Sequence, residues 1–131
     1  MKCVKGGIKL KVFLADSYAI VEYFKGNKNY SKYFEKNQIV TTKLNLMEVY
    51  YLALINSSAD NANNYYDVLL SQCVEFSDLT IKEAMQFRYE KRKQHLSYVD
   101  AIGYQLSLEL NVPFLTGDKE FERMKNVEFV K

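Results

Sequence analysis

Short apolar runs alternate with helix-length segments along almost the whole of this chain. The run "KVFLA" (11–15) is rich in β-branched and aromatic residues and reads as a buried strand. Behind it, "DSYAIVEYFKG" (16–26) reads as a helix, with Asp16 or Ser17 to cap its start and Gly26 to close it. The same reading gives a short helix over 29–36, a strand over 38–42, and helices over 44–56 and 57–73. A third strand follows at 74–78, then helices over 80–94 (capped by Thr80 with Glu83) and 97–111, a strand at 113–116, a short helix over 118–125 and a last strand at 127–130. Strands interleaved with helices in this way predict the α/β class: a short, mostly parallel sheet of about five strands with helices on both faces. One proline and five glycines in 131 residues leave no room for an internal linker, so one domain over 1–131 is expected, with residues 1–8 as a loose extension.

Composition narrows the classes of function. The opening residues are not a signal peptide, because Lys9, Lys11 and Asp16 interrupt any apolar core. No stretch reaches the roughly 18 apolar residues that span a bilayer, which predicts a cytoplasmic protein with no membrane partner. Cys3 and Cys73 have no metal-site spacing, and a disulfide between them has no support. The formal charge of +2 is unevenly spread, with an acidic middle third between basic flanks. Within the last third, "RYEKRK" (88–93) holds four cations and one acid, a solvated helix face or a contact for RNA or acidic protein. His95 is the only histidine and lies in a charged loop, a poor place for a general base.

In sheets of this class, ligands gather beyond the carboxyl ends of the strands, and acids are found there. Asp16 follows the first strand and Asp118 the fourth, within "PFLTGDKEF" (113–121). Glu48 lies on a helix, "LNLMEVYYLALIN" (44–56), that is apolar almost all round and therefore expected to be buried on several sides. A carboxylate there costs several kcal/mol unless it is paired or holds a metal. Asp100 stands three residues after Ser97, the spacing of a capping box, which points it at whatever the helix start faces. Each acid has a structural reading as a cap or a solvated side chain. Taken together they make another: two like charges about 4 Å apart repel by roughly 4 kcal/mol at an effective dielectric of 20, so four converging carboxylates call for protons or a hard divalent cation. Such a site suits metal-assisted hydrolysis of a phosphodiester.

The ordered set of "VFLADSYAIVEYFKG", "TTKLNLMEVYYLAL" and "LSYVDAIGYQLSLELNVPFLTGDKEF", closed by "VEFV", resembles the PIN-domain ribonucleases, and among them the small VapC-type toxins of prokaryotic toxin–antitoxin pairs. The resemblance runs from about residue 10 to the end. It implies a PIN-like fold and a metal-dependent endoribonuclease that hydrolyses single-stranded RNA, with Asp16, Glu48, Asp100 and Asp118 as catalytic residues and ligands of Mg²⁺ or Mn²⁺. By the same resemblance Ser17, Thr116 and Glu120 support these ligands, the partners are an RNA substrate and a cognate antitoxin, and the chain is a homodimer through 44–56 and the helix after it. Two other readings compete. A catalytically idle PIN-fold module would bind RNA or protein with the acids serving structure alone. A phosphoacceptor receiver domain would show adjacent acids after the first strand, where this chain has "LADS".

Overall fold

The computed structural model describes residues 2–5 and 8–131, with side chains from residue 10 onward. Among the described residues there are five strands and six α-helices. In chain order these are β1 (Lys2–Lys5), β2 (Ile8–Ala15), α1 (Ser17–Phe24), α2 (Lys28–Glu35), β3 (Gln38–Val40), α3 (Lys43–Asn56), α4 (Ala59–Leu70), α5 (Asp78–Glu90), α6 (Tyr98–Leu110), β4 (Phe114–Thr116) and β5 (Val127–Phe129), with a single 3-10 turn at Lys119–Phe121. Four strands form a parallel sheet in the order β3-β2-β4-β5. The α/β class and the mostly parallel sheet are as the alternation predicted.

The central strand shows why helices cover both faces. Alternate side chains of β2 enter different cores: Phe13 and Ala15 join Ile20, Tyr30, Ile39, Leu46 and Leu69 on one side, while Val12 and Leu14 join Tyr104, Leu106 and Phe121 on the other. In β4, Leu115 and Phe114 divide the same way. The first core is built from α1 to α4, the second from α6 with α5 packed on its outside. Because β2, β3 and β4 are parallel, their carboxyl ends open on one rim, and the register sets Ala15 beside Leu115.

Several expectations are corrected. Lys2–Lys5 is not a loose extension but pairs antiparallel with the first half of β2; Met1, Gly6 and Gly7, and the side chain of Cys3, lie outside the described residues. The strand expected at 74–78 is absent: a single parallel bridge joins Thr41 to Cys73, and after the Val74 amide donates to the Thr41 carbonyl at 2.8 Å the chain leaves the sheet. Helix α5 starts earlier than predicted, with Ser77 and not Thr80 as its cap. Thr80 is buried and donates its hydroxyl to Glu109 at 2.8 Å. The helix expected at 118–125 shrinks to the 3-10 turn. Helix α3 buries only Asn45, Leu46, Val49 and Ala53, while Met47, Tyr51, Leu54 and Ile55 face outward.

Helix α6 lies unusually close to the sheet at Gly103, where an added Cβ would meet the Phe114 ring at 3.2 Å and Leu14 at 3.8 Å. That approach fixes the start of α6 near the ends of β2 and β4. Gly103→Val is therefore expected to overpack the second core and cost about 1–3 kcal/mol in urea unfolding. Unchanged stability would show that the helix has room to withdraw.

Candidate metal centre at the carboxyl rim of the sheet

The site grows out of the end of β2. The backbone of Asp16 still belongs to the sheet, its amide donating to the Leu115 carbonyl at 3.1 Å. Its side chain already belongs to the helix: Oδ1 accepts the Ala19 amide at 2.8 Å and caps α1. Oδ2 accepts the hydroxyl of Thr116, at the end of β4, at 2.5 Å. Thr116 in turn accepts the Asp118 amide at 3.0 Å, so one hydroxyl ties both strand-end acids together. Asp118 Oδ1 accepts the Glu120 amide at 3.0 Å and caps the 3-10 turn. The bland reading of "LTGDKEF" is thus true as far as it goes: Asp118 does start a helical turn.

Gly117 between them is required by packing. A Cβ there would collide with the Tyr18 ring, the Tyr30 hydroxyl and the Val130 carbonyl. Tyr30 is fully buried and donates to that same carbonyl at 2.6 Å, closing the floor beneath the β4 terminus.

The remaining acids arrive from helices. Asp100 makes the capping box its spacing predicted: its amide donates to Ser97 Oγ at 3.0 Å and its Oδ2 accepts the Ser97 amide at 3.1 Å. Glu48 projects from the second turn of α3 and accepts the hydroxyl of Ser17 at 2.5 Å. Behind that contact stands a residue that sequence reasoning missed. Asn45, buried, donates to Ser17 Oγ at 3.0 Å and accepts the Thr42 hydroxyl at 2.7 Å. A relay from Thr42 through Asn45 and Ser17 to Glu48 therefore locks α3 to α1. Its one sequence cue was a buried-face amide three residues after a capping threonine. Glu120 contributes its backbone to Asp118; its side chain has no hydrogen bond to the other acids among the described residues.

The charges of the four acids reach one another. Asp16 is 1% exposed, and burial pushes its carboxyl up to about 7, against the lowering effect of the Thr116 and Ala19 bonds; the charges of Asp100 and Asp118 push it further. Asp100 is raised chiefly by burial, opposed by the Ser97 bonds and reinforced by Asp118. Glu48 is raised by burial, opposed by Ser17 and reinforced by Asp100. No cation answers this charge: among the described residues the one ion pair is Lys25–Glu22, at 3.5 Å. Nor do three of these carboxylates close into a ready cage among the described residues. An all-oxygen donor set of carboxylates and hydroxyls, with no ion-paired cation among the described residues, suits a hard divalent ion that keeps much of its own water.

This fold and this rim of acids define the class. The chain belongs to the PIN domain family, whose model matches residues 13–127. Solved structures with a similar fold include VapC20 of Mycobacterium tuberculosis, a toxin that cleaves the sarcin–ricin loop, at 15% identity and a TM-score of 0.77, covering 92% of this chain and 100% of that one. VapBC2 from Rickettsia felis, bound to a promoter DNA fragment, matches at 17% identity and 0.71, covering 92% and 99%. A toxin–antitoxin complex from Klebsiella pneumoniae matches at 18% identity and 0.70, covering 88% and 94%. No curated protein matches the chain in sequence.

The raised carboxyl of Asp16 makes a signed prediction. Between about pH 4 and 7 the folded protein holds a proton at Asp16 that the unfolded chain has released, so metal-free stability falls as pH rises through that window. The loss is up to about 4 kcal/mol, at 1.36 kcal/mol per unit. Asp16→Asn, which keeps an oxygen for the cap, is expected to flatten the profile in urea unfolding with a chelator present. A profile of unchanged slope would mean that Asp16 ionises freely in the fold.

Proposed function

We propose that this chain is a metal-dependent endoribonuclease that hydrolyses phosphodiester bonds of single-stranded RNA, and that it is the toxin of a toxin–antitoxin pair in the cytoplasm. The observation that carries the reading is the charge coupling of Asp16 with Asp100 and Asp118, and of Asp100 with Glu48 and Asp118, at one rim with no ion pair to these acids among the described residues. A structural network that gained nothing from a metal would be expected to pair such acids with lysine or arginine.

In this reading Asp16, Glu48, Asp100 and Asp118 hold Mg²⁺ or Mn²⁺, which when bound neutralises a phosphate oxygen and lowers the pKa of a coordinated water. Thr116 keeps Asp16 oriented through its hydroxyl and meets the Asp118 backbone with the same oxygen. Ser17 does the same for Glu48 and is itself steered by Asn45. Asp16 is buried, so a cation held there would displace its proton, coupling metal binding to proton release. Asp100 and Asp118 stand half-buried at helix starts, where a phosphate and its attacking water would enter.

Two mutants separate chemistry from capping. Asp118→Asn keeps the capping oxygen and is expected to change stability by less than about 1 kcal/mol, while cleavage of a single-stranded RNA in Mn²⁺ falls by orders of magnitude. Glu48→Gln, with no cation to lose, is expected to leave metal-free stability equal or higher and to abolish cleavage. Calorimetry in two buffers of different ionisation enthalpy should register protons released on Mn²⁺ binding. Cleavage at the wild-type rate by Asp118→Asn, with no proton release, would leave the acids a structural role and favour the idle-module reading.

Assembly follows from α3 and α4. Met47, Tyr51, Leu54 and Ile55 on one and Val68 and Leu70 on the other are exposed apolar side chains, more than a solitary surface carries without use. The proposed homodimer buries them around a two-fold axis, and the other partner is a cognate antitoxin. Sedimentation is expected to give a dimer at micromolar concentration and a monomer for Ile55→Asp. A wild-type monomer would remove the idea.

A further inference from the structure

The basic cluster that the acids do not use lies against the same helix start that presents Asp100. Arg88, in the last turn of α5, reaches across to the loop before α6: its Nε donates to the Leu96 carbonyl at 2.9 Å, and its guanidinium covers the ring of Tyr98 at 4.5 Å from the centroid. Tyr98 is the first residue of α6, one beyond the Ser97 whose amide binds the Asp100 carboxylate, and it is 64% exposed. One turn along, Arg92 covers the ring of Tyr89 at 4.4 Å, and Tyr89 is 66% exposed. Lys91 and Lys93 complete the cluster, and none of these four cations has a carboxylate within ion-pair distance among the described residues.

These facts call for an explanation beyond packing. A tyrosine that served the core would be buried, and an arginine that served stability would meet an acid. Here a guanidinium held by a backbone carbonyl lies over an aromatic ring that stays open to solvent. Unpaired positive charge interleaved with exposed rings is the chemistry that holds single-stranded nucleic acid: cations track phosphates, and bases of any sequence stack on aromatic faces. A duplex offers no free base faces, so such a platform selects single strands.

We propose that Tyr98, backed by Arg88, is a base-stacking platform that holds a nucleotide flanking the one presented to the acids, with Tyr89 in the last turn of α5 and Lys91, Arg92 and Lys93 just beyond it extending the track. The proposal rests on the ribonuclease reading for what the acids do, but binding at the platform is independent of it. Tyr98 is a positioning residue in this scheme; it does not touch the reacting atoms.

The test uses the full chain in EDTA, so that binding is read without cleavage, and a 12-nucleotide single-stranded RNA carrying 2-aminopurine, whose fluorescence drops when it stacks. Wild-type protein is expected to quench the probe. Tyr98→Ala is expected to weaken binding about tenfold and to lose the quench, and Tyr98→Phe to restore both, since stacking of one base contributes on the order of 1–3 kcal/mol and 1.4 kcal/mol is tenfold. Arg88→Ala is expected to weaken binding and lower its salt dependence, and duplex RNA of the same length to bind less tightly than the single strand. Circular dichroism identical to wild type would tie these losses to the surface. Equal affinity and quenching for wild type and Tyr98→Ala would overturn the proposal and leave the stack to a protein partner or to the fold. The two readings fail separately. Tyr98-dependent quenching with no cleavage in Mn²⁺ would sink the nuclease and keep the platform; cleavage with a KM unmoved by Tyr98→Ala would do the reverse.

Discussion

A single hydroxyl-to-carboxylate contact organises this molecule. Thr116 and Asp16 close the ends of β4 and β2 against each other, at the point where the ladder between them runs out. The carboxylate in that contact is buried beneath two cores and caps the first helix. Everything else at the rim is arranged around it: Asp118 is hung from the same threonine, Ser17 follows Asp16 and carries Glu48, and Asp100 is brought near because α6 can press onto the sheet at a glycine. The arrangement is costly for the metal-free protein, since burial and like charges both oppose ionisation. A fold selected for stability alone would have no reason to keep it.

Much of this was legible in the order of residues. The two-faced burial of β2 follows from four consecutive apolar residues, Val12–Ala15, and the capping box of α6 follows from Ser97 and Asp100, because both are local. What failed was what depends on partners distant in sequence. "VEF" at 74–76 has the composition of a strand, yet only Thr41 and Cys73 reach each other, so one bridge forms and no ladder. Thr80 has the residue type and spacing of a cap, but Glu109 lies opposite and draws its hydroxyl away, leaving the cap to Ser77. The pairing of Lys2–Lys5 with β2 was missed because three lysines in the first nine residues look solvated, and a lysine-rich edge strand looks the same.

The site divides along the same line. The four acids could be nominated from sequence because each stands in an apolar setting or at a strand end. Their supports could be nominated only in part: Thr116 stands two residues before Asp118, but its shorter bond is to Asp16, a hundred residues earlier. Asn45 carried only the cue of its spacing from Thr42, since its role depends on Ser17 from another helix. The acidic character of the rim and the basic character of residues 88–93 offset each other in the net charge. A nearly neutral chain therefore conceals two oppositely charged surfaces a few residues apart at the start of α6.

Three of the four acids lead double lives as helix starters: Asp16 for α1, Asp118 for the 3-10 turn, and Asp100 in its box. The geometric duty needs an acceptor oxygen; only the proposed chemical duty needs the charge. A side-chain amide meets the first requirement and fails the second. The fold therefore does not police its own activity. A lineage could exchange one oxygen for one nitrogen, keep every element in register, and turn a cutting protein into a silent one of identical shape, able to occupy the same partners.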